Sequence, residues 1–60
     1  MDFKKYIKEN GAVDYTDKEA NVIYKLSQIK GQTPDPNGYC KFEICNLDRK
    51  VIGTSRIKIK

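Results

Sequence analysis

Residues 16–30, TDKEANVIYKLSQIK, decide how this chain is expected to fold. Thr16, followed three positions later by Glu19, has the form of a capping box, in which a hydroxyl and a carboxylate each accept a backbone N–H at a helix start. At about 100° per residue, Val22, Ile23, Leu26 and Ile29 gather on one side, with Ala20 and Tyr24 at its flank. Gly31 stands where such a helix would stop. The stretch therefore predicts a helix over 16–30 whose apolar stripe faces a core. Lys18, Asn21, Lys25 and Gln28 fall on the opposite, polar side.

Upstream, Phe3, Tyr6, Ile7 and Asn10 recur at helical spacing, with Asp2 placed as a cap and Gly11 just beyond. A first short helix over 2–10 is expected. Downstream, GQTPDPNG at 31–38 is a turn-rich connector: Pro34 and Pro36 keep Thr33 and Asp35 extended, and Asn37-Gly38 offers a position for positive φ.

Two strands follow, near 39–46 and 51–59, joined by NLDRK at 46–50. In the first, Cys40, Phe42 and Ile44 alternate with Tyr39, Lys41, Glu43 and Cys45, and the former set is expected inside. For Ile57 and Ile59 to share that face, paired residue numbers must sum to an odd value; a loop centred on Asp48 and Arg49 gives 97. Cys40 then faces Ile57, Phe42 faces Ser55, and Ile44 faces Gly53, which either makes room or bulges.

The resulting expectation is an α+β fold in which two short N-terminal helices pack on a C-terminal antiparallel β-hairpin (ααββ), one domain spanning 1–60. Its core would hold Ile7, Val22, Ile23, Leu26, Ile29, Phe42, Ile44 and Ile57. A chain of 60 residues has room for one small core and a thin stability margin. Dimerisation through the last strand would enlarge that core, but the charges there oppose it, so a monomer is expected, with a weak dimer as the alternative.

Composition narrows the function classes. The start, MDFKKYIKEN, has too many charges for a signal peptide, and no apolar run approaches the roughly 20 residues that span a bilayer. A cytoplasmic protein without membrane association is expected. Cys40 and Cys45 lie in one strand, about 16 Å apart, too far for a disulfide; free thiols are expected, with Cys45 the more reactive. With no histidine and two cysteines, neither metal nor cofactor is expected.

Catalysis finds little support. No nucleophile has an evident base beside it, and the chain reads as non-enzymatic. Asp14, Asp17 and Glu19 cluster where a helix start favours negative charge, which accounts for them without an acid–base pair. GQTPDPNG lacks the amides and the Gly-Lys-Ser/Thr ending of a phosphate-binding loop.

Charge points elsewhere. Residues 1–30 carry six basic and five acidic groups, whereas 31–60 carry six basic and three acidic, so the excess of the +4 net charge sits in the second half. On the expected hairpin, Lys41 lies opposite Arg56 and Tyr39 opposite Lys58, with Lys60 beyond, so cations and one aromatic ring share a face. Single-stranded nucleic acid fits such a surface. Lys18, Asn21, Lys25 and Gln28 form a second candidate, since such side chains reach base edges and phosphates from a helix. Two helices before a hairpin resemble part of a winged-helix module, although the usual third helix is missing.

The leading expectation is thus a small regulatory or accessory protein that binds nucleic acid through a basic face. The alternative is a protein-binding inhibitor or adaptor, such as a phage-type modulator of a host protein, anchored by Tyr15, Tyr24, Tyr39 and Ile52. Edge protection by charge and an ordinary solvated helix face would explain the same patterns without any partner.

Overall fold

A computed structural model describes residues 2–59. Its elements are one α-helix, α1 (Phe3–Asn10), four strands, β1 (Tyr15–Asp17), β2 (Val22–Tyr24), β3 (Tyr39–Asn46) and β4 (Val51–Lys58), and a 3-10 helix (Leu26–Ile29) between β2 and β3. The strands form one antiparallel sheet in the order β1-β2-β3-β4. The α1 helix agrees with expectation: Asp2 accepts a hydrogen bond from Lys5 N–H at 3.1 Å, and Gly11 ends the helix with φ 83°.

The helix over 16–30 does not form, and the two-helix-plus-hairpin expectation is corrected accordingly. The capping oxygen belongs to Asp17 rather than Thr16, and it caps a turn: Asp17 Oδ1 accepts from Glu19 N–H at 3.1 Å and Ala20 N–H at 3.2 Å. Asn21 then takes φ 56°, a left-handed conformation that closes a hairpin and that a helix interior forbids. On either side stand Tyr15-Thr16 and Val22-Ile23-Tyr24, β-branched and aromatic residues that lose side-chain freedom in a helix and pack well on a pleated sheet. Pairing Tyr15 with Tyr24 and Tyr24 with Ile44 also covers an edge of β3 that a lone hairpin would leave open.

Helical character survives only in the 3-10 segment. Its three-residue period brings Leu26 and Ile29 to the same side, where both are buried. Beyond Tyr24, among the described residues, no strand continues along this edge of β3, and side chains take over. Lys25 N–H donates to Glu43 C=O at 2.9 Å. Gln28 Oε1 then accepts from Glu43 N–H at 2.8 Å, and Gln32 bonds Lys41 twice, accepting from its N–H at 2.7 Å and donating to its C=O at 3.0 Å. Two glutamine amides stand in for a strand backbone.

The β3–β4 register follows the sum of 97, from Tyr39 opposite Lys58 through Ile44 opposite Gly53. There it shifts, so that Cys45 faces Val51 and Ile52 is the extra residue of a β-bulge. A Cβ at Gly53 would meet nothing within 4 Å, so Ile44 does not demand a glycine opposite it. Asn46 Oδ1 ties the connecting turn by accepting from Asp48 and Lys50 N–H at 2.9 and 3.0 Å.

The core is built on one face of the sheet. Leu26, Ile29, Cys40, Phe42 and Ile57 are buried there, with Phe3, Tyr6, Ile7, Tyr15, Tyr24 and Ile44 packed around them. Phe3 meets Tyr24 and Phe42 edge-on at centroid distances of 4.8 and 5.6 Å, and Tyr6 meets Tyr15 at 5.2 Å, which fixes α1 across that face. Val22, Ile7 and Ile44, expected in the core, are half-buried. Cys45 departs further from expectation. It pairs with Ile23 on the opposite face and is only 3% exposed, so it is shielded rather than reactive. Both thiols are free.

Candidate nucleic-acid interface

With α1 on one face, the other face of β3 and β4 buries Cys45 beside β2 and leaves Lys41, Arg56 and Lys58 exposed. Alternation along the strands places Tyr39, Lys41 and Glu43 there, opposite Lys58, Arg56 and Thr54 respectively. Tyr39 is half-buried. Lys41 and Arg56 face each other as like charges, which a sheet disfavours by some tenths of a kcal/mol. Arg56 leans away: its guanidinium carbon lies 4.8 Å from the centre of the Tyr39 ring, a cation–π contact. The ring is thereby paired with a cation on its own protein.

Glu43, opposite Thr54, lies diagonal to Arg56 on this face. Among the described residues it makes no ion pair with Arg56 or Lys41. Its Oε1 accepts from Gln28 Nε2 at 2.6 Å, and Gln28 Oε1 accepts from the Glu43 backbone. A shallow concavity of about 630 Å³ opens at this point, with Gln28, Lys41, Glu43, Thr54 and Arg56 around it. Phe42 and Ser55 also line it, so apolar surface lies among these polar and cationic groups.

The second basic candidate is dispersed, since the helix that would have aligned it is absent. Lys18 and Asn21 belong to the β1–β2 turn. Lys25 forms an ion pair with Asp14 at 3.0 Å, and Gln28 is held by Glu43. Lys60 lies outside the described residues. Of the residues considered as protein-binding anchors, Tyr15 and Tyr24 pack against the core and Tyr39 lies under Arg56. Ile52 alone is well exposed, at 57%, and Leu47 and Val51 are exposed beside it at the β3–β4 turn.

Thr54 and the Gln28–Glu43 pair were not legible as parts of one site, because Gln28 reaches β3 only through the 3-10 segment. Val51 carried a signal: Val51-Ile52 places two apolar residues in succession at the start of a strand whose far end alternates, which is compatible with a bulge. Among the described residues no group of three or more His, Cys, Asp and Glu side chains is placed to hold a metal ion, and no helix is long and apolar enough to cross a membrane. No protein-family model, curated protein or solved structure matches the chain.

Proposed function

We propose that this protein is a small non-enzymatic regulatory or accessory factor that binds single-stranded nucleic acid through the basic face of β3 and β4. One observation carries the reading: Lys41, Arg56 and Lys58 share that face with Tyr39, and β4 contains no acidic residue. Cations at strand spacing suit a phosphate backbone, and the Tyr39–Arg56 pair offers a flat surface on which a base stacks. A cytoplasmic location accords with two cysteines that remain thiols.

The test is the salt dependence of binding to a short single-stranded oligonucleotide. Replacing Lys41, Arg56 and Lys58 together by Gln should weaken binding and reduce the slope of log K against log salt by about 0.7 for each phosphate that is no longer neutralised. The melting temperature should stay close to that of the parent, because all three are exposed. A parent that does not bind at about 50 mM salt, or a triple variant that binds as well, overturns the reading. The exposed Leu47, Val51 and Ile52 favour a protein partner as the second reading, in which binding responds weakly to salt and is lost on replacing Ile52 by Ser.

A further inference from the structure

Resting on the nucleic-acid reading, we infer that Glu43, oriented by Gln28, selects a guanine base in the bound strand. A carboxylate in the middle of a cationic face is a liability for phosphate binding alone, since it repels the ligand its neighbours attract. It is also costly to leave without a counter-charge, and two cations stand close by. Yet Glu43 is bound by the Gln28 amide on Oε1, and among the described residues Oε2 has no hydrogen-bond partner.

The Gln28 contact is directional. Because Gln28 Oε1 is committed to the Glu43 N–H, its Nε2 must point at the carboxylate, so backbone and side chain of the same residue are clamped by one amide. The carboxylate is therefore pre-oriented beside the concavity, with Lys41 and Arg56 at its edge and Thr54 opposite. The Watson–Crick edge of guanine presents two adjacent N–H donors followed by a carbonyl oxygen. A carboxylate accepts from the donors, and a neighbouring cation donates to the carbonyl. Adenine and uracil each set an acceptor where guanine has a donor, and that acceptor would face the negative charge. Cytosine offers its amine but a single donor position. Unstacked bases in single strands expose this edge, as a duplex does not.

The experiment compares short oligouridylates that differ only at one central position, guanine, adenine, cytosine or uracil, binding to the full chain and to Glu43→Gln. The parent should prefer the guanine oligonucleotide by roughly tenfold, the discrimination a well-placed pair of hydrogen bonds supplies. Glu43→Gln, which keeps shape and removes charge, should bind all four more tightly and lose the preference, with an unchanged thermal melt. Equal binding of all four by the parent overturns the inference and leaves the nucleic-acid reading standing. A preference that survives in Glu43→Gln also overturns it. Failure of every oligonucleotide to bind overturns both.

Discussion

Asp14 lies between α1 and β1, where the sequence groups it with Asp17 and Glu19, but the structure gives it separate work. Its carboxylate accepts from the Ser27 hydroxyl at 2.6 Å, Ser27 N–H at 3.1 Å and Lys25 Nζ at 3.0 Å, and so pins the start of the 3-10 helix. Partial burial pushes its pKa up, but the hydrogen bonds from Ser27 and Lys25, with the Lys25 charge, outweigh that and hold it below the ordinary value. A depressed carboxyl contributes stability that is complete above the unfolded-state pKa, near 4, and is lost as pH falls through the lower folded value. Asp14→Asn should therefore cost about 1 kcal/mol at neutral pH, a figure reduced for solvent screening at this partly exposed site. Denaturant titrations of parent and variant should converge as pH falls from about 5 to about 2. A gap independent of pH would show that shape at this position matters and charge does not.

The β1–β2 hairpin and the β3–β4 hairpin were unequally legible. The second was open to reading because eight-residue strands alternate long enough to fix a register, and a slip by one would have turned Ile57 to water. The first was not, because three-residue strands show no period. Val22, Ile23, Leu26 and Ile29 satisfy a helical stripe, yet they divide between a strand and a 3-10 turn. What decided the matter was tertiary: an open edge of β3, and a left-handed Asn21 that only a turn accommodates. The basic face was legible with the register that produced it, whereas the second polar strip depended on the missing helix. Asn21 also supplies a test. In a helix interior, Asn21→Gly would cost a few tenths of a kcal/mol; at φ 56° glycine relieves strain, and the variant should be neutral or slightly more stable. Arg49, at φ 66°, should respond the same way and more strongly, by up to about 1 kcal/mol, in thermal melts. Loss of stability in both variants would contradict the turn geometry.

At the scale of the molecule, the two thiols lie on opposite faces of β3 and report on the whole. Cys40 belongs to the core under α1, and Cys45 is shielded with Ile23 on the other side. A domain of this size has few parts able to open separately, so exposing either thiol requires disrupting the sheet that both share. Labelling with a thiol reagent should be slow for both in the native protein, at matching rates that rise together with denaturant. Rapid labelling of Cys45 alone would mean that β2 parts from β3 while the core persists.

The glutamine amides along β3 have a consequence for chemical ageing. Glutamine is among the thermolabile side chains, and its hydrolysis to glutamate exchanges an amide for a carboxylate with scarcely any change of shape. At most surface positions such damage passes unnoticed. Here it would remove a donor from the sheet at Gln32 and, at Gln28, bring a second negative oxygen to where an amide now meets Glu43 at 2.6 Å. A strand backbone cannot be lost this way. By delegating part of its ladder to side chains, this fold has tied the integrity of its central strand to the lifetime of two amides.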